Sequence, residues 1–118
     1  MLFNLVAKQQ EHFGIRYHGK PRHLSNKEKN FYIEAFNEEL YEYNAAETLE
    51  DEYDALIDLL IFASGALLRH GFSPAGIEEV VKANMKKELG PIKNKREEFE
   101  LDLRKPEGWQ APDLSRHL

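Results

Sequence analysis

Residues 30 to 68 carry ten carboxylates and no lysine, arginine or histidine, in stretches that otherwise read as apolar helix. The ten are Glu34, Glu38, Glu39, Glu42, Glu47, Glu50, Asp51, Glu52, Asp54 and Asp58. All sixteen Lys and Arg therefore lie outside this segment, against eleven acids, so a chain of net charge −5 divides into an acidic centre and basic flanks. Carboxylates crowded onto successive helices repel one another unless something neutralises them, and a divalent cation does so most effectively.

The wider composition bounds the problem. A chain of 118 residues is one domain's worth and long enough to bury a core. With 42% hydrophobic and 31% charged residues it is neither disordered nor fibrous. The absence of cysteine excludes a disulfide framework, a thiolate zinc site and a cysteine nucleophile. Met1 to Gln10 has neither the basic region nor the apolar run of a secretory signal. The longest apolar run, Ala55 to Leu68, is fourteen residues and contains Asp58 and Ser64, too short and polar to span a bilayer. A soluble, cytoplasmic protein is expected, with no membrane partner. Net acidity argues against a nucleic-acid partner, although the basic flanks keep a local anion site open.

Helix follows helix along the chain. Leu2 to Phe13 has a helical apolar pattern, with Gly14 as its stop. A loop over residues 14–25 gathers Arg16, His18, Lys20, Arg22 and His23. Ser25-Asn26-Lys27-Glu28 is a capping-box pattern that opens a second helix to about Tyr43, with an apolar stripe of Ile33, Phe36, Leu40 and Tyr43. Thr48 caps a third helix that ends near His70, with Gly71 beyond it. Ser73-Pro74 opens a fourth, running to about Leu89 and closed by Gly90-Pro91. Residues 91–118 read as a charged, extended tail with little regular structure. No strand pattern is visible. The expected organisation is a helical catalytic domain over 1–90 followed by the tail over 91–118.

From Ala55 to Leu68 the third helix is apolar around nearly its whole circumference, so it is expected to be buried on all sides. Three partner helices of one small chain cover it only partly, which favours a homo-oligomer. Asp54 and Asp58 lie one turn apart on this helix, with Asp51 one turn earlier. An ionised Asp in apolar surroundings costs several kcal/mol unless it is paired or metal-bound. Asp51 also reads as a simple capping acid and Asp54 as a solvated one; Asp58, in the third turn, does not. On the second helix Glu39 and Glu42 are neighbours flanking the stripe, while Glu34 and Glu38 continue along an outer, solvated side. If the two helices pack antiparallel through their short connection, Glu39, Glu42, Asp51 and Asp54 converge. Oxygen-only ligands suit Mg²⁺ or Mn²⁺. Iron is not expected, because no His follows a Glu by three residues. The five scattered histidines form no triad, and no phosphate-binding glycine signature occurs.

Glu39-Leu40-Tyr41-Glu42 followed by Asp51-Glu52-Tyr53-Asp54 resembles the ExxE…ExxD signature of the all-α nucleoside triphosphate pyrophosphatases, the superfamily of MazG, dimeric dUTPases, dCTP pyrophosphatases and phosphoribosyl-ATP pyrophosphohydrolase. The run Asp54 to Leu60, the Asn84-Met85-Lys86-Lys87 segment and the Lys105-to-Leu114 tail look like its compact phosphoribosyl-ATP pyrophosphohydrolase-like branch. The resemblance covers about residues 5 to 114. Two departures stand out: Asp51 replaces the usual Glu, and the gap of eight residues between Glu42 and Asp51 is short. Asp58 is retained as a candidate ligand for that reason.

The resemblance implies an all-α, four-helix bundle-like fold and an oligomer, homodimer or homotetramer. It implies cleavage between the α and β phosphates of a (d)NTP or related nucleotide, releasing pyrophosphate. Glu39, Glu42, Asp51, Asp54 and Asp58 would hold Mg²⁺, or Mn²⁺, with Glu39 or Glu42 as the base. Lys87, then Lys86 and Lys82, are candidates for the phosphates, with Arg69, Lys93, Lys95 and Arg96 less so. Asn84 would hydrogen-bond base, sugar or phosphate. Trp109 would stack on a base or pack the tail against a neighbouring subunit. The competing reading is a non-catalytic helical oligomer that binds a metal, nucleotide or protein partner.

Overall fold

The computed structural model describes every residue except Glu97. It is mostly helical, with α1 (Leu2–His12), α2 (Asn26–Ala45), α3 (Leu49–His70) and α4 (Ala75–Asn84). A two-residue strand pair, β1 (Glu88–Leu89) and β2 (Leu103–Arg104), and a 3₁₀ turn at Ser115–His117 complete the described elements. Contacts divide the chain into two compact units, Met1–Ser73 and Pro74–Leu118. No helix among the described residues is long and apolar enough to cross a membrane.

The helix ends of the first unit follow from local chemistry. The Glu28 N–H donates to Ser25 Oγ and the Asp51 N–H to Thr48 Oγ1, each at 3.1 Å. Each bond satisfies one of the donors that the first helical turn leaves unpaired. α3 closes at Gly71, whose φ of +79° is the left-handed conformation of a glycine C-cap. The Phe72 N–H returns to the Leu67 carbonyl at 3.0 Å. The basic loop before α2 is fastened to this same helix end. Arg22 donates from Nε and Nη2 to the Arg69 carbonyl, and its guanidinium lies 3.6 Å from the Tyr17 ring centroid. His70 Nδ1 meets the Arg22 carbonyl at 2.8 Å. Arg69 in turn pairs with Glu28 and donates to the Ile15 carbonyl. The loop's Arg22 thus serves the C-terminus of α3, where positive charge is stabilising.

α3 is the centre of this unit and packs against both α1 and α2. Its buried positions are Ala55, Ser64, Gly65 and Leu68. On α2 the buried residues are Tyr32, Ala35 and Glu39, with Phe36 half-buried. The expected stripe of Ile33, Phe36, Leu40 and Tyr43 is therefore displaced by one position, about 100° of helix rotation. Ile33, Leu40 and Tyr43 remain exposed. The reason lies in the packing. α3 offers mainly small buried side chains (Ala55, Ser64, Gly65), and α2 turns Tyr32, Ala35 and Glu39 inward, whereas apolarity alone selects the bulky row. Leu56 and Leu60 of α3 are also about half exposed, at 46% and 52%. One chain does not cover the apolar circumference of its central helix.

In the second unit the helix ends sooner than the sequence pattern suggests. α4 stops at Asn84, not near Leu89, and Glu88–Leu89 pairs antiparallel with Leu103–Arg104. Opposite charges face each other in that register, with Arg104 Nη2 3.5 Å from Glu88 Oε2. Periodicity over residues 75–89 could not reveal a strand partner some fifteen positions further on. The tail is also more ordered than expected. Trp109 donates from its indole nitrogen to the Ala83 carbonyl at 2.7 Å, and Arg116 pairs with Glu79.

Gly71→Ala should destabilise the first unit by ~1–2 kcal/mol or more. A Cβ there would sit 3.0 Å from the Gly19 carbonyl oxygen and 3.1 Å from that of Lys20, besides requiring a left-handed backbone. Urea denaturation followed by circular dichroism measures the effect, and an unchanged midpoint would contradict it.

Candidate active site

α2 places Glu39 and Glu42 three residues apart on one helix face. The connection of residues 46–48 then returns the chain, so that α3 packs back along α2. The packing brings Asp58 to the glutamates. One carboxylate oxygen from each of Glu39, Glu42 and Asp58 lies within 4.8 Å of the others. Glu39 is buried at 6% exposure, Asp58 half-buried and Glu42 exposed. The cluster thus opens to solvent at Glu42 and ends in a buried acid at Glu39.

The electrostatics of the cluster are severe. Burial pushes the Glu39 carboxyl up to about 7, helped by a hydrogen bond with Glu42 and by the charges of Glu42, Asp58 and Glu38. Asp58 is also raised, first by burial, then by Asp54 and Glu42. Glu39 Oε2 is buried with no hydrogen-bond partner. A buried acceptor in that condition is costly. The donor set is all oxygen and all acidic, the chemistry that hard divalent cations require. The residues present therefore fit Mg²⁺ or Mn²⁺.

Other candidates are placed differently. Asp54 is exposed, one turn before Asp58, and acts on it through charge. Asp51 is exposed at the third position of α3, its N–H held by Thr48. Glu34 and Glu38 lie on the solvated side of α2. Of the sequence candidates, Glu39, Glu42 and Asp58 are the three brought within ligand distance of one another among the described residues.

The remaining candidates belong to the second unit. Asn84 is the last residue of α4, Lys82 pairs with Glu78 one turn before it, and Lys86 is exposed. The Lys87 ammonium lies 4.8 Å from the Trp109 ring centroid, with Lys105 at 5.2 Å. Lys87 also lines a concave surface of about 560 Å³ with Lys93, Lys95, Arg96, Arg104 and Lys105. Trp109 itself packs onto the end of α4 within its own chain.

The mostly helical fold is that of the all-α NTP pyrophosphatase superfamily, to which the family that the chain matches belongs. Residues 6–85 match the phosphoribosyl-ATP pyrophosphohydrolase family, and the chain belongs to it. No curated protein matches the chain. Membership supports an activity of the nucleotide pyrophosphohydrolase type. The matched span includes all five candidate ligands and Asn84, and ends before Lys86 and Lys87.

Metal-free stability should fall as pH rises. Glu39 is protonated in the folded chain up to about pH 7, against an ordinary value of 4.5. Between those two values the native state holds more protons than the unfolded one, so the slope of stability against pH is negative. The contribution is complete below about pH 4.5 and is lost as pH passes 7. Glu39→Gln should flatten this part of the profile. Denaturation midpoints in chelator across pH 5 to 8 test it, and a wild-type profile that rises through this window would refute it.

Proposed function

We propose that this chain is a Mg²⁺-dependent nucleotide pyrophosphohydrolase that cleaves the α–β phosphate bond of a (d)NTP or a related nucleotide. The observation that carries the reading is the buried, partnerless Oε2 of Glu39 within a cluster of three carboxylates, in a chain of this family. Glu39, Glu42 and Asp58 would hold the cation, with Asp54 and Asp51 as supporting acids. When bound, the cation supplies neutralisation of phosphate oxygens and acidifies the attacking water.

The chain's own groups account for the rest. Water attacks phosphorus, the bridging bond to the β-phosphate breaks, and pyrophosphate leaves with the bonding electrons. Either Glu39 or Glu42 accepts the water's proton. Asn84 and Lys87 are proposed for substrate binding on their resemblance to the family's Asn-Met-x-Lys segment and on the basic surface that Lys87 shares, with Lys86 and Lys82 beside them in the chain. We further propose that the active form is a homodimer or homotetramer. Leu56 and Leu60 of α3, and Ile33 and Leu40 of α2, are left about half exposed, and large exposed apolar side chains of this kind are what an interface would cover.

Incubating the protein with a panel of NTPs, dNTPs and phosphoribosyl-ATP plus Mg²⁺ or Mn²⁺ should release pyrophosphate from at least one. No release from any of them, with the fold intact and metal bound, assigns the chain to the non-catalytic binding class. Glu42→Gln should lower kcat by about 10²-fold or more while preserving helical content. Asp58→Asn should cost more activity than Asp51→Asn, the reverse of what the ExxD pattern alone would suggest. Equal losses would show that Asp51 shares the ligand role.

Light scattering offers a separate test of assembly. Leu60→Glu should shift the protein from its oligomer toward monomer. A wild-type monomer at micromolar concentration would remove the oligomer from this reading.

A further inference from the structure

The second unit carries nine basic and nine acidic side chains, so it has no net charge of its own. Its fold nonetheless sorts them. The concave surface of about 560 Å³ is bounded by six cations, Lys87, Lys93, Lys95, Arg96, Arg104 and Lys105, against one acid, Asp102. That acid is already engaged. Its Oδ2 accepts from Arg96 Nε at 2.8 Å and its Oδ1 from the Leu103 N–H at 2.9 Å. The bond from Arg96 holds the carboxyl below its ordinary value, so Asp102 stays ionised within that pair. Arg104 pairs with Glu88. Among the described residues, Lys87, Lys93 and Lys105 form no ion pair with a carboxylate.

The strand pair decides where these charges meet. β1 and β2 align Glu88 with Arg104 and Leu89 with Leu103, and the Gly90 N–H donates to the Asp102 carbonyl at 2.8 Å. The same register sets Lys87 across from Lys105. Like charges directly opposite on paired strands are destabilising. Both ammoniums also lie by one ring, 4.8 and 5.2 Å from the Trp109 centroid, which offsets part of the repulsion. The segment 91–102 that joins the strands adds Lys93, Lys95 and Arg96 to the same concavity.

Ammonium and guanidinium groups only donate, so their complement is an anion that offers acceptor oxygens. Several cations around one hollow call for several negative charges close together. A phosphate chain brings them in compact form, and a guanidinium fork matches its oxygens in pairs. An extended nucleic acid is the poorer fit. Its usual footprint is a basic patch on a basic domain, whereas this unit is neutral and its positive charge is confined to the hollow.

We propose that this concavity is a binding site for a short phosphate chain, pyrophosphate or triphosphate, and that it works without a metal ion. Lys93, Lys95, Arg104 and Lys105 join Lys87 in holding it. The site lies wholly within the second unit, and all five residues fall beyond the span 6–85 that matches the family. It stands on the charge arrangement of that unit and needs no hydrolysis.

Trp109 is the chain's single tryptophan, and its fluorescence reports on the two lysines beside it. Inorganic triphosphate and pyrophosphate are titrated into the full-length protein freed of divalent metal. Citrate, ATP and a short single-stranded oligonucleotide serve as comparators. Triphosphate should change the fluorescence saturably and bind more tightly than citrate, a multiply charged carboxylate. The double variant Lys93→Gln/Lys105→Gln should weaken that binding by about tenfold or more, the scale of a lost charge-assisted hydrogen bond. Lys8→Gln removes a lysine from α1 and should leave the affinity unchanged. ATP separates free chains from nucleotide-borne ones, since the tighter of ATP and triphosphate names the source.

No saturable binding of triphosphate by fluorescence or calorimetry overturns the proposal. So does citrate binding as tightly, an oligonucleotide binding more tightly, or a folded double variant with unchanged affinity. A protein that hydrolyses nucleotides but binds no phosphate chain without metal lacks this site and keeps the hydrolase reading. One that binds triphosphate yet hydrolyses no nucleotide keeps the site and refutes the hydrolase reading.

Discussion

Mutual repulsion among Glu39, Glu42 and Asp58, held together by the packing of α2 on α3, is the constraint around which the first unit is organised. α2 turns Glu39 inward and α3 brings Asp58 to it, so the packed pair carries a buried acid. The protein bears that arrangement at a cost in its metal-free form, because Glu39 keeps its proton to about pH 7 and one of its oxygens has no partner. Structures tolerate such groups where function requires them. On the proposed function, the cation that would serve the chemistry would also relieve this cost.

The rest of the unit supports that seam. Serine and threonine caps fix where α2 and α3 begin, and so set the height at which Glu39 and Asp58 meet. At the far end, Arg22, Arg69 and His70 tie the basic loop to the close of α3. Charge is thereby segregated along one helix: acids in its first half, cations at its C-terminus. That polarity also matches the helix dipole, with negative charge near the N-terminus and positive near the C-terminus.

Much of the helical layout was legible in the chain because its signals are local. Ser25 with Glu28, Thr48 with Asp51, and Gly71 each act within one turn, and each boundary falls within a few residues of its signal. The burial of Asp58 was likewise inferable from the apolar run around it. The inward face of α2 was not. Ala35 and Glu39 look unremarkable beside Ile33 and Leu40 until the packing of α3 turns that face of α2 inward. The β1–β2 pair was equally hidden, since its two strands are joined only by contacts distant in sequence.

The sequence by itself determined a mostly helical chain with an acidic centre, and it supplied the carboxylates in number and spacing, because caps, periodicity and charge are properties of neighbouring residues. Only the tertiary structure decided which acids meet. It brought Asp58 to Glu39 and Glu42, left Asp51 at the helix start, and turned Gln10 inward against Gly65. Those outcomes depend on how closely two helices pack and on which residue each presents there. That is a matter of three-dimensional fit, which no single segment carries.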